Sequence, residues 1–267
     1  MLAALVFPVI DPVAFQVGPI AIRWYALAYL AGLLLGWQYC LFLARSRRVP
    51  VSLNRMDDLL WMVTVGVIVG GRLGYVLFYN PAYFIANPLD ILMVWKGGMA
   101  FHGGFLGVVV AGCLFARRHG VPVAAVADTV SAATPIGLFF GRIANFINGE
   151  LYGRASDVPW AMVFPAGGPF ARHPSQLYEA GLEGLLLFII AAAAMSRGWG
   201  TDRPGLVTGL FVTGYGVSRF LVELLREPDR HLGFVLGQMT MGQLLSVPMV
   251  VAGCLLIGWS VRRSVTR

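Results

Sequence analysis

The chain has 267 residues, of which 58% are hydrophobic and only 12% charged. Soluble domains are closer to half apolar and a quarter charged, so the composition excludes an ordinary water-soluble fold. It points instead to an all-α polytopic membrane protein, counted in spans of about 20 residues. The net charge of +7 does not indicate nucleic-acid binding, because the basic residues lie in short clusters between apolar stretches rather than along one face.

The first residues, MLAALVFPVIDP, have no basic n-region and no small-residue cleavage site, so they do not read as a removable signal peptide. Seven apolar spans follow, at about 20–44, 57–80, 97–116, 123–147, 176–195, 205–225 and 239–260. They form a single integral membrane domain over residues 1–267. The second span carries Gly66, Gly70 and Gly74 at four-residue spacing, and the third carries Gly103 and Gly107. Small residues at that spacing let helices approach closely in lipid. Between these spans, residues 81–96 are aromatic and broken by Pro81 and Pro88, and they read as an interfacial arm. The longest connection, 148–175, includes VPWAMVF and PAGGP, a short strand and a turn, and reads as a small extracytoplasmic cap between spans four and five. Cys40, Cys113 and Cys254 lie in apolar segments without metal-ligand spacing, so no chemistry is assigned to them.

Basic residues in the connections orient the chain. Loops 45–56, 117–122 and 196–204 and the C-terminal tail hold eleven, whereas the alternating connections 81–96, 148–175 and 226–238 hold five. The N-terminus is therefore expected outside and the C-terminus in the cytoplasm.

With that direction set, the polar residues of the spans collect near the outer ends. Arg23 and Tyr25 open span one, and Arg72 lies about two turns into span two. His102 lies near the start of span three. Arg142 and Asn145, on one helical face, close span four, while Tyr215, Arg219 and Glu223 recur every four residues in span six, a stripe that Arg226 extends. An arginine at mid-bilayer costs roughly 2.5–3.5 kcal/mol on translocon scales, so several at one depth point to a shared polar cavity open to the outer side. Nineteen of the twenty basic residues are Arg. That reflects either a base-composition bias or the fit of a planar guanidinium to phosphate. An Arg-lined, apolar-walled cavity suits a phospholipid head group. The acidic residues are too few for a two-metal cage and one His is no zinc site, so no metal is expected. Arg72, set among glycines, reads equally as a packed or paired residue and as a functional one.

The stretch GRIANFINGELYG, residues 141–153, resembles the signature of the prolipoprotein diacylglyceryl transferases, in which Gly141, Arg142, Ala144, Asn145, Phe146, Asn148, Glu150 and Gly153 match. HGGFLG at 102–107, RHPSQLYE at 172–179 and YGVSRFLVELLRE at 215–227 are similar to further segments of that family. The resemblance implies an enzyme of the bacterial inner membrane that takes phosphatidylglycerol as donor. It transfers the diacylglyceryl group to the lipobox cysteine of a prolipoprotein signal peptide, leaving a thioether and releasing glycerol phosphate, with no cofactor. It further implies that Arg142 and Arg219 hold the phosphate and stabilise the leaving group. His102 is the implied base toward the thiol, although a field of arginines also lowers a thiol's pKa unaided. Tyr25, Asn145, Glu150, Gly153, Tyr215 and Glu223 are implied to shape the head-group site. The rival reading is a transporter for an anion or lipid with an outward-facing Arg-lined cavity.

Overall fold

The computed structural model describes residues 5–228, 234–237 and 239–265. Residues 1–4 of the N-terminal stretch, and Arg230 and Arg267 of the orientation argument, lie outside them. The long helices are α1 (Trp24–Arg45), α2 (Met56–Phe78), α4 (Phe101–His119), α5 (Val123–Ile147), α9 (Leu206–Glu223) and α10 (Met241–Val265). The shorter α3 (Pro81–Ala86), α6 (Ser175–Glu179), α7 (Leu187–Ser196) and α8 (Trp199–Asp202) lie between them. α6 and α7 are joined by a π-helical segment, Ala180–Leu186, so that Ser175–Ser196 runs as one rod. Five helical stretches are long and apolar enough to cross a membrane: Trp24–Arg45, Leu53–Phe78, Val123–Ile147, Ser175–Ser196 and Met241–Arg263. α4 and α9, with 19 and 18 residues, are the remaining long helices. Their sequences are diluted by glycine, hydroxyl and charged residues.

The helices pair as α1 with α5, α2 with α4, and α9 with α10. In the α2–α4 pair the glycines are an actual contact. A Cβ on Gly66 would stand 2.5 Å from the Gly107 carbonyl oxygen, and one on Gly74 2.8 Å from Gly103 Cα. Backbone meets backbone there, which only residues without a side chain permit.

The apolar core gathers at one end of the bundle, where Leu43, Val51, Met56, Phe115, Val126, Met195 and Val207 are buried together. At that end Asp128 of α5 caps α9 across the interface. Its Oδ2 accepts from Gly205 N and its Oδ1 from Thr208 N and Oγ1, each at 2.7 Å. Free N–H groups at a helix start favour such an anion. The pairing of α5 with α9 is thus set about 20 Å along α5 from Arg142, fourteen residues on at 1.5 Å each.

Short strands sit beside the other end. β2 (Val13–Val17) and β3 (Ile20–Arg23) form a hairpin through Gly18, whose φ is +59°, so residues 20–23 are strand and the first span starts at Trp24. β1 (Leu5–Val6) pairs in parallel with β4 (Met162–Val163), and Phe7 packs its ring against Phe146 and Phe164. β5 (Phe234–Leu236) and β6 (Met239–Thr240) form a second hairpin before α10. Residues 81–96 form α3 and two 3₁₀ turns, Pro88–Leu92 and Val94–Lys96, and no long helix.

Candidate functional site

Arg142, in the last two turns of α5, is directed at the Ser175–Ser196 rod. Its Nε lies 2.6 Å from Glu179 Oε2, and its Nη2 lies 3.3 Å from Glu183 Oε2. Arg219 of α9 reaches the same carboxylate, with Nη1 3.5 Å from Glu179 Oε1, and its Nη2 lies 2.7 Å from Glu223 Oε2 one turn along. Glu179 therefore bridges the two arginines. Glu179 and Glu183 are 0% exposed and Glu223 is 5% exposed. Burying that much charge is tolerable only when it is paired. Tyr215, one turn before Arg219, lies within electrostatic reach of both arginines and of Glu179 and Glu183. Glu223 in turn lies against the backbone at Gly242, where a Cβ would stand 2.5 Å from Oε2.

Above Arg142, the end of α5 is closed by its own side chains. Asn145 Nδ2 donates to Glu150 Oε1 at 2.8 Å and Asn148 Nδ2 donates to the same oxygen at 3.4 Å. The turn beyond passes through Gly149 at φ +64° and Leu151 at φ +58°, a backbone region that a branched apolar residue rarely occupies. Gln176 Nε2 donates to Glu150 O, and Ser175 Oγ to Leu151 O at 2.9 Å, which hold that turn against the start of α6.

Tyr25, at the start of α1, pairs with Tyr29, their rings 5.1 Å apart and their hydroxyls 3.5 Å apart. Tyr29 lies within electrostatic reach of Arg142 and Glu150, so the tyrosine pair borders the cluster from α1. Gly153 lies in a different setting. Its N–H donates to His173 O at 2.8 Å, and a Cβ there would stand 2.5 Å from Leu225 O and 2.7 Å from His173 Cβ. It lets segment 148–175 lie flat on the end of α9. His102, the second residue of α4, is exposed, with its ring centroid 5.6 Å from that of Phe101. No hydrogen bond joins it to the arginine cluster among the described residues.

Arg72 stands apart from the cluster. Its Nε donates to Ile91 O at 2.9 Å, Nη1 to Gly98 O at 3.1 Å and to Gly97 O, and Nη2 to Met93 O at 3.3 Å and to Asp90 O. Its guanidinium also sits 5.1 Å from the centroid of the Phe84 ring. The residue is a stake on which segment 81–98 is wound, and these contacts account for its burial by packing and pairing.

Three acidic residues of this architecture carried no assignment from sequence: Glu179, Glu183 and Asp128. A fourth omission is a chain of aromatic contacts that ties segment 148–175 to α6. Trp160 Nε1 donates to Tyr178 OH at 2.7 Å, and that hydroxyl lies 3.1 Å from His173 Nδ1. Burial holds His173 below the usual histidine pKa. The signal for Glu179 was present in the RHPSQLYE segment, but nothing local to it indicates arginines 37 and 40 residues away in sequence.

The arrangement offers two guanidinium groups, fixed by carboxylates from the Ser175–Ser196 rod and from α9, at one end of apolar helices. Such a site can receive a phosphate oxygen in exchange for a carboxylate contact. Comparison with known proteins assigns the chain to a family. The sequence model described as prolipoprotein diacylglyceryl transferase matches residues 12–259. A protein of Rhodospirillum rubrum named phosphatidylglycerol–prolipoprotein diacylglyceryl transferase is 58% identical over 260 residues, covering 95% of this chain and 93% of its own. Proteins of the same name from Paramagnetospirillum magneticum, 56% identical over 98% of both chains, and from Agrobacterium fabrum, 52% identical over 98% of this chain and 95% of its own, are similar along the same length. The chain belongs to the prolipoprotein diacylglyceryl transferase family.

Proposed function

We propose that this protein transfers the diacylglyceryl group of phosphatidylglycerol to the lipobox cysteine of prolipoproteins. The observation that carries the reading is the Arg142–Glu179–Arg219 bridge at one end of the apolar helices, in a chain that matches its relatives almost end to end. In the reaction the cysteine sulfur attacks the glycerol carbon that bears the phosphate. The C–O bond breaks, its electron pair leaves on the phosphate oxygen, and the thiol proton ends on glycerol phosphate or solvent. Arg142 and Arg219 bind the donor phosphate and stabilise the charge that grows on it. His102 takes the thiol proton, since the thiolate is the nucleophile. Tyr25, Asn145, Glu150, Tyr215 and Glu223 shape the head-group seat, and Gly153 acts by letting segment 148–175 close over it. Holding the lipid donor and the membrane-bound signal peptide in line supplies much of the remaining acceleration.

The same reading fixes the setting. α4 and α9 join the five apolar stretches as spans three and six, making seven, supported by their packing on α2 and α10. The protein lies in the bacterial inner membrane with its N-terminus outside and its C-terminus cytoplasmic, supported by the basic loops. Segment 148–175 is the extracytoplasmic cap, 81–96 lies at the interface, and the cluster faces the outer leaflet, where lipids enter laterally.

The test uses purified protein in detergent with phosphatidylglycerol and a lipobox peptide carrying Cys or Ser at the acceptor position. Glycerol phosphate release that requires Cys and collapses in Arg142→Ala is the expected result. A wild-type protein that binds the lipid but releases nothing overturns the reading.

A further inference from the structure

The arginine pair is not surrounded as a simple phosphate trap would be. Two guanidinium groups meet three buried carboxyl groups, from Glu179, Glu183 and Glu223. As ionised groups the five carry a net negative charge before any phosphate arrives. The closest contacts grip Arg142 at Nε and Nη2, and Arg219 at both terminal nitrogens. Glu183 Oε1 is fully buried and has no hydrogen-bond partner among the described residues. Its residue belongs to the π-helical segment Ala180–Leu186, an irregularity found often at functional sites. Gly184 beside it lets the rod approach α5, since a Cβ there would stand 2.7 Å from Phe139 Cβ. A carboxyl group brought this deep, with one oxygen unmatched, is not accounted for by neutralising Arg142, which Glu179 already does.

The chemistry gives this excess of carboxylates a purpose. The donor is a phosphodiester with one negative charge, while the leaving glycerol phosphate carries up to two. Two bare guanidiniums in a low-dielectric site hold the more highly charged species more tightly. The donors that stabilise the transition state would then also retain the product. We propose that Glu179 and Glu183 are positioning residues that aim the two guanidiniums, and that their negative charge lowers the affinity of the pair for the phosphate product so that it leaves. This inference rests on the transferase reading above and deepens it. Glu179 fixes the spacing of the arginines by touching both, and Glu183 supplies the repulsion that an unmatched oxygen retains.

The test uses the full chain in detergent with phosphatidylglycerol and the Cys peptide, comparing wild type with E179Q, E183Q and the charge-keeping E183D. The readouts are kcat, KM for phosphatidylglycerol and the inhibition constant of added glycerol phosphate. In E179Q and E183Q the inhibition constant falls about tenfold or more, as removal of a like charge a few ångströms from the bound anion requires. KM for the donor does not rise, and kcat falls. E183D keeps an inhibition constant near that of wild type even where its kcat is reduced. Partial misfolding lowers the amount of active enzyme but leaves the inhibition constant of the folded fraction alone. A loss of kcat with an unchanged or raised inhibition constant therefore overturns the proposal. Absence of glycerol phosphate release from wild type overturns the transferase reading itself, and is distinguished from the former because no variant is then needed to see it.

Discussion

Arg72 and Arg142 are both arginines within apolar helices, and both are largely withdrawn from solvent, yet what surrounds them differs in kind. Arg72 is met by the neutral carbonyl oxygens of Asp90, Ile91, Met93, Gly97 and Gly98 and by the face of Phe84. Arg142 is met by the carboxylates of Glu179 and Glu183. Backbone carbonyls solvate a cation, saturate its donors and cannot be exchanged without unwinding the chain that carries them. Carboxylates form a charged network in which one anion can yield to another. The first arrangement suits an arginine to scaffold, and under the proposed function the second keeps it available to a phosphate. Counting buried arginines does not separate the two, whereas identifying their acceptors does.

The sharpest way to break this contrast is Arg142→Ala. Under the proposed function it removes a donor to the developing phosphate charge, worth about 10²–10³ in kcat by analogy with the loss of one oxyanion donor. It also strands the buried carboxylate of Glu183 and leaves Glu179 only its longer contact to Arg219, at a cost of about 3–5 kcal/mol. Arg142→Lys keeps the charge but loses the fork and so restores only part of the rate. Glycerol phosphate release and thermal stability of the same preparations check both. Full activity in the Lys variant would show that the paired geometry is irrelevant.

His102 belongs to neither set, being exposed beside Phe101. As the base it contributes about 10²-fold, the lower end for general catalysis, so His102→Gln slows transfer by that factor near neutral pH. The loss shrinks as the pH rises toward the thiol's own ionisation, because the thiolate then forms without help. A pH–rate profile parallel to that of wild type removes the role and leaves activation to the arginines.

Gly153→Ala and Arg72→Ala test scaffold rather than chemistry. The added methyl at 153 meets two groups of the backbone and the His173 Cβ, and overpacking of this kind costs about 1–3 kcal/mol. Its activity loss follows the displacement of segment 148–175. Arg72→Ala leaves five carbonyl oxygens without their donor. It lowers stability by about 3 kcal/mol, on the scale of hydrogen bonds to charged groups, and opens segment 81–98 to limited proteolysis, while the folded fraction keeps KM for phosphatidylglycerol. A raised KM with an intact arm would move Arg72 into the site.

Much of this was readable from sequence where the interaction is local or the pattern periodic. The Arg219–Glu223 pair follows from a four-residue spacing, the Gly66, Gly70 and Gly74 stripe predicted its close neighbour, and the end of α5 bears its capping asparagines in the same few residues as Arg142. What was not readable is nonlocal. Glu179 and Glu183 acquire their partners through the packing of the Ser175–Ser196 rod on α5 and α9, and the π-helical register between α6 and α7 leaves no sequence periodicity to detect. Asp128 lies at the end of the helices away from the polar residues collected around Arg142, and its partner is a helix start 77 residues on. Strand β3 falls within the first span as read from sequence, because Ile20, Ala21 and Ile22 are apolar in succession and lack the alternation that marks a half-buried strand. Arg72 stayed ambiguous because its acceptors are carbonyls, which every residue has.

The smallest expected effect lies on the opposite side of the same arm. The Asp90 carbonyl oxygen faces Arg72, but its side chain accepts from Tyr83 OH and stands 3.0 Å from Lys96 Nζ. The hydrogen bond from Tyr83, with that from Lys96, holds the Asp90 carboxyl below its usual pKa. A carboxyl depressed in the folded state stabilises above its unfolded value, about 3.9, and the contribution disappears as the pH falls through the lower folded value. The carboxyl is half-buried but its Lys96 partner is open to solvent, so the interaction is screened and weak. Arm-specific proteolysis of wild type should accordingly be slow at pH 7 and rise below about pH 4, whereas Asp90→Asn should be nicked slightly faster at pH 7 and show less of that acid response. Transfer activity at pH 7 should change by less than about twofold, the scale of an exposed ion pair. If Asp90→Asn loosened the arm as much as Arg72→Ala, the exposed triad rather than the carbonyl cage would be what holds the segment, and the distinction between the two kinds of arginine would lose its scaffold half.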